Sequence, residues 1–144
     1  MKLILLLNVL TTLYMTGVIW FVQIVHYPLF GKVGEAYYRE YHTHHARLTG
    51  FVVAMPMLVE LGTAGLLAAT PPMGISSRQT VLGLIMVILL WISTALVQVP
   101  RHTILGDGYD AVAHRTLVAS NWFRTLLWSL RTVLVCSMLW QLLP

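Results

Sequence analysis

The chain predicts an all-α, integral-membrane four-helix bundle of up-down order, and three observations carry that prediction. The composition is 58% hydrophobic and 10% charged, with a mean hydropathy of +0.77, far more apolar than a soluble domain of 144 residues. Four apolar runs, residues 3–25, 48–69, 80–99 and 117–143, each reach the roughly 20 residues a helix needs to cross a bilayer. The connections between them are short, so neighbouring helices run antiparallel in a single domain over residues 1–144.

The first run opens Met1-Lys2 and continues apolar to Val25 without a small-x-small cleavage site, so it reads as a retained transmembrane helix, not a cleaved signal peptide. Gly31 to Gly34 makes a turn. From Glu35 to His42 there is no breaker, which predicts an amphipathic helix running into the second span. Thr70-Pro71-Pro72 stops that span, and Ser76 or Ser77 caps the third. Gly106-Asp107-Gly108 is a turn, and Tyr109 to Arg115 extends the fourth span beyond the bilayer. Pro28, Pro56 and Pro100 mark helix ends or kinks, Pro56 freeing the carbonyl of Val52.

Charge orients the bundle. Lys32, Arg39, Arg47, Arg101 and Arg115 lie in the first and third connections, against Lys2 and Arg78 on the other side. The positive-inside rule places the histidine-bearing connections in the cytoplasm and the termini outside, as in a bacterial-type inner membrane. No run of Lys or Arg makes a patch for nucleic acid, and the lone Cys136 excludes an internal disulfide.

All six histidines fall on that one side. Gln23-Ile24-Val25-His26-Tyr27-Pro28 closes the first span and Gln98-Val99-Pro100-Arg101-His102 the third. His42, His44 and His45 precede the second span and His114 the fourth. His45-Ala46-Arg47-Leu48 is matched by His114-Arg115-Thr116-Leu117, which suggests two related hairpins. His42 and His45 share a helix face and His44 does not. A shell of His26, His45, His102 and His114, with His42 as a fifth candidate, suits iron, copper or zinc, and an axial pair among them suits haem. Taken singly, each reads more simply as an interfacial histidine; their one-sidedness argues for the group.

On the fourth span His114, Asn121 and Trp128 recur every seven residues, as do Arg124 and Arg131, so all five form one inward stripe. Glu60 is the one acid within a span, 15 residues from His45, while Arg131 is 17 from His114. Both lie roughly 20 to 25 Å below the histidines, which predicts a structural ion pair. Arg124 is then left without an acid. Gln23, Gln98 and Asn121 offer it acceptors, and an anionic or carbonyl-bearing ligand, or a haem propionate, suits it better. Trp20, Phe21, Tyr27, Phe30, Tyr37, Tyr38, Tyr41, Trp122 and Phe123 crowd the same half and read mostly as interfacial anchors. Trp20 and Trp91 lie within spans and could wall a cavity.

The run Thr94 to Leu105, followed by Asn121-Trp122-Phe123-Arg124 and Trp128-Ser129-Leu130-Arg131-Thr132, resembles the second half of the small four-helix membrane proteins grouped with anthrone oxygenases. The positions concerned are Pro100, His102, Trp122 or Trp128, and Arg131. His102 stands where that group more often has asparagine. The resemblance implies oxygen-dependent oxidation of a flat aromatic or quinol-like molecule and leaves the cofactor open.

The expectation is an integral-membrane oxidoreductase. Arg124, Arg131 and Asn121 would orient a lipophilic substrate, and His26, His102 and Arg124 would hold the cofactor. A non-catalytic haem or metal carrier, a transport-related protein and a structural subunit of a membrane complex are the alternatives. Lipid and a lipophilic small molecule are the expected partners, and Gly62, Gly65 and Gly83 offer small contact points for other helices or for a homo-oligomer.

Overall fold

The structure, a computed structural model, describes residues 1–142 as four helices packed in a bundle. These are α1 (Lys2–Phe30), α2 (Glu35–Ala69), α3 (Ser77–Gly106) and α4 (Ala111–Trp140). The first three are each long and apolar enough to cross a membrane. α4 is 30 residues long and carries Arg115, Arg124 and Arg131. The expected end of its span, Leu143, lies outside the described residues. α1 packs on α2 and α4, and α3 packs on the same two helices, so α1 and α3 face each other across the bundle.

Local chemistry sets the helix starts. Ser76 accepts the Arg78 amide, and the Gln79 side chain accepts from the Ser76 amide, a reciprocal cap at the head of α3. Asp110 accepts from the Ala113 amide at 2.6 Å and starts α4, so Tyr109 lies before the helix and not within it. α2 runs unbroken through Pro56, and the Tyr14 hydroxyl reaches the freed Val52 carbonyl at 3.5 Å.

Two helix ends depart from the sequence expectation. α1 continues past Val25 to Phe30, and α3 continues past Val99 to Gly106. Each passes its proline by the same device, a π-turn of five residues ending two positions before the ring. These turns are Val22–His26 before Pro28 and Thr94–Gln98 before Pro100. Within them the Tyr27 amide bonds the Val22 carbonyl, and the Val99 amide bonds that of Thr94. The extra residue shifts the carbonyl register, so the proline is accommodated without ending the helix. It also rotates everything downstream by about 100°, one residue's share of a 3.6-residue turn. The repeat between the halves is therefore a π-turn followed by proline. In that register Phe30, not His26, corresponds to His102.

Apolar and polar layers alternate through the core. Leu5, Val9, Leu67, Ile75, Val135 and Met138 close one end. Met15, Ile19, Met57, Leu90 and Trp128 fill the middle. Val22, Tyr27, Phe30, Tyr38, Leu105, Ala113 and Leu117 form the other end, beneath the histidine-bearing connections.

Between the first two layers lies Arg131, fully buried. Its Nε donates to Glu60 Oε1 at 2.8 Å, Nη2 donates to Asn8 Oδ1 at 3.0 Å, and Nη1 donates to the Gly83 carbonyl. Glu60 also accepts from Thr12 at 2.7 Å and from Trp128 Nε1 at 3.1 Å. One polar cluster thus ties all four helices together. The outward faces of the bundle are apolar, with Phe51 75%, Leu96 72% and Val133 68% exposed.

Candidate functional site

The π-turn of α1 and the first three turns of α2 bring histidines into contact. His26 Nε2 lies 2.7 Å from His45 Nδ1, which also meets the Thr49 hydroxyl at 3.0 Å. A second pair crosses from α2 to α3, where His42 Nε2 lies 3.0 Å from His102 Nδ1. On its other side His102 Nε2 meets the Tyr27 hydroxyl at 3.0 Å. The two pairs adjoin, since the rings of His45 and His102 are centred 5.7 Å apart. His42 and His45 are both buried, one turn apart on the inward face of α2, while His44 is exposed.

Phe30, with no exposed surface, is the packing hub of this layer. Its ring contacts those of His26, His42, His45 and His102 at centroid distances from 4.8 to 6.3 Å. His114 lies apart from the four. Its Nε2 meets the Tyr27 carbonyl at 2.8 Å, near the end of α1, and its Nδ1 faces Tyr109. That is the position of a side chain capping a helix C-terminus.

Beneath the histidines is a cavity of about 490 Å³, lined by apolar side chains of α1, α2 and α3. His42, His45, His102, Tyr27, Gln98 and Arg124 are among its polar groups, with the hydroxyls of Thr43, Thr49, Thr94 and Thr103. His26 does not reach it and stands behind His45. Arg124 is the one α4 residue on the wall.

The Arg124 guanidinium is held from behind. Nη1 donates to Asn121 Oδ1 at 3.0 Å, Asn121 donates to Gln23 Oε1 at 2.9 Å, and the Trp128 ring lies 5.1 Å below. No carboxylate faces it among the described residues, where the one ion pair is Glu60 with Arg131. Arg124 Nε, Gln98 Oε1 and His42 Nδ1 are buried on this wall without a hydrogen-bond partner. An unmatched buried polar atom costs about 1–3 kcal/mol, so a hydrogen-bond partner reaching any of the three, from water or from a guest, would be stabilising.

Of the residues singled out from sequence, the fold therefore gathers His26, His42, His45, His102, Asn121 and Arg124. It leaves His114 at a helix end and places Arg131 in the distant Glu60 cluster. Among the described residues, no three of His, Cys, Asp or Glu have the spacing of a metal shell.

The aromatic residues divide. Trp20, Phe21, Tyr37, Trp122 and Phe123 are exposed, as interfacial anchors are, whereas Tyr27, Phe30 and Tyr38 are buried. Trp20 lines no part of the cavity and donates to Ser129 instead, and Trp91 packs against the middle core layer. Tyr27 and Phe30 were the members of the site that sequence reasoning counted as anchors. Their one signal was position, flanking Pro28 next to His26.

No family model, no curated protein and no solved structure matches the chain. The resemblance to anthrone oxygenases thus rests on the quoted residues alone.

Proposed function

We propose that the protein is an integral-membrane oxidoreductase that takes a flat, oxygen-bearing lipophilic molecule of quinol type into the cavity beneath the histidine layer. The observation that carries the reading is the pairing of three unmatched polar atoms with apolar walls in one cavity, beside linked imidazoles. Arg124 and Gln98 offer a cation with free N–H and a carbonyl acceptor. Such a pair suits a substrate that bears hydroxyl groups in one oxidation state and carbonyls in the other.

Tyr27, His102 and His42 form a chain of three proton-exchanging groups along one edge of the cavity. If His102 Nδ1–H donates to His42, the Tyr27 hydroxyl donates to His102 Nε2. With the roles reversed, the Tyr27 proton is free and His42 Nδ1 presents a lone pair. A proton taken from substrate at Tyr27 can thus leave at His42 without any side chain moving.

The redox centre belongs to the imidazoles. His42 Nε2 and His102 Nδ1 are close enough that both would hold one ion in place of the proton they share, so metal binding and the relay through that bond would be alternative states of the pair. His45 is the third donor on the cavity wall, with His26 behind it. Haem held by either contacting pair would require those imidazoles to part, since His26 with His45 and His42 with His102 are in hydrogen-bond contact. Bound iron or copper would supply the one-electron steps that carry substrate electrons to dioxygen. The first experiment is elemental analysis with an ultraviolet-visible spectrum on protein purified in mild detergent without chelator. Stoichiometric iron or copper is expected, lost on His42→Ala, His45→Ala or His102→Ala and kept on His44→Ala and His114→Ala. Absence of metal after reconstitution would overturn the redox centre, and a Soret band would replace it with haem.

A further inference from the structure

The cavity is not closed, and the exposure of its lining shows where it opens. α1 lines it with Met15, Ile19, Val22 and Tyr27, all buried, and the half-buried Val18, and α4 with the buried Arg124. The lining residues that are also exposed are Thr43 and Ala46 on α2, and Val99 and Thr103 on α3. The mouth therefore lies in the wall between α2 and α3, not along the bundle axis.

Small residues make this gap. Ala46 and Gly50 stand one turn apart on α2, and a Cβ built on Gly50 meets nothing within 4 Å. None of the mouth residues is charged. Towards the connections the mouth is bordered by the exposed His44 and Arg47, and in the other direction Gly50 adjoins Phe51, 75% exposed, while Leu96, a turn from Val99, is 72% exposed, so the opening runs from the polar end of the bundle down onto its apolar outer face. About 490 Å³ is the size of a site for one drug-sized molecule. It accommodates a ring system but not a long hydrocarbon chain besides.

We infer that the ligand enters sideways from the bilayer between α2 and α3, and that it is a tailed amphiphile. Its flat, oxygen-bearing head lies against Arg124 and Gln98, and its hydrocarbon tail stays in the lipid, passing out between Gly50 and Val99. The nature of the head rests on the proposed function above; the lateral mouth is an independent observation. A tail left in lipid costs the protein no burial, and it concentrates the head at the depth of the mouth.

The test uses the full-length protein in nanodiscs. Quenching of intrinsic tryptophan fluorescence would report binding of duroquinone, which has no tail, and of decylubiquinone, which has a ten-carbon one. Wild type is compared with Gly50→Leu and, one turn away, Ala46→Leu, so that partitioning into lipid cancels between variants. The expected result is about a tenfold weakening for the tailed probe, near 1.4 kcal/mol, with the tailless probe within about twofold of wild type. Equal weakening of both probes, or no change for either, would overturn the lateral route while leaving the head site intact. Failure of both probes to bind wild type would overturn the quinol reading and this inference with it.

Discussion

Two arginines on one helix face, seven residues apart, show how surroundings decide what a residue does. Arg131 is matched at every nitrogen, to Glu60, Asn8 and Gly83, and has no exposed surface. Arg124, buried but on the cavity wall, has an amide and an aromatic face but no anion. The first is therefore structural and the second is available for a ligand. Glu60→Gln leaves the Arg131 charge buried without its counter-ion, at a cost of about 3–5 kcal/mol. It should lower the unfolding temperature in detergent sharply without altering binding at the cavity, whereas Arg124→Gln should do the reverse. A Glu60→Gln protein as stable as wild type would contradict the assignment. This division was legible in the sequence, because one acid and two basic residues lie on buried positions and helical rise places Glu60 level with Arg131. The part played by Tyr27 and Phe30 was not. An aromatic near a helix end in the interfacial zone anchors or packs according to which way the backbone turns, and that turn was set by something else.

That something is an element-scale feature, the π-turn. Proline at positions 28 and 100 predicts a helix end, and neither Val22-Gln23-Ile24-Val25-His26 nor Thr94-Ala95-Leu96-Val97-Gln98 before it carries a local signal for a helix that adds a residue and carries on. The consequence is large, since five further residues of α1 and seven of α3 remain helical and His102 enters the bundle instead of a loop. The four-helix count, the capping of α3 by Ser76 and the joint burial of His42 and His45 needed only periodicity and turn chemistry. They were read correctly for that reason. Helix approach gives a second test at this scale. A Cβ on Gly83 would stand 3.1 Å from Arg131 Nη1 and 3.8 Å from Leu134, so it would have to push the buried guanidinium aside by a few tenths of an ångström. Gly83→Ala should destabilise the protein by about 1–3 kcal/mol, through overpacking and displacement of the Arg131 bond to the Gly83 carbonyl. Gly62→Ala, whose Cβ would meet nothing within 4 Å, serves as the control and should unfold with wild type. Equal unfolding temperatures for Gly83→Ala and wild type would show that the guanidinium can move aside at no cost.

For the molecule as a whole, the open question from sequence was whether the basic residues on the histidine side signal topology or belong to the site. Lys32, Arg39, Arg47 and Arg115 are exposed, Arg101 is half-buried, and none of them lines the cavity. The arginines that do serve the interior, Arg124 and Arg131, lie deeper in α4 and were never part of the loop count. Surface charges within a turn or two of the helix ends are the ones the positive-inside rule weighs, so the bias survives removal of every site residue. On that rule we propose that the histidine layer, and the mouth between α2 and α3, lie in the cytoplasmic half of the bilayer. In a Cys136→Ser background, His44→Cys should react with a membrane-impermeant maleimide in inverted vesicles and stay protected in intact spheroplasts. Ser77→Cys, at the head of α3 on the opposite side, should show the opposite pattern. Reversed labelling would turn the molecule over and put the proton exit at His42 on the outer face. The bundle and its cavity would be unchanged, but any proton released from substrate would then be delivered across the membrane from the compartment proposed here.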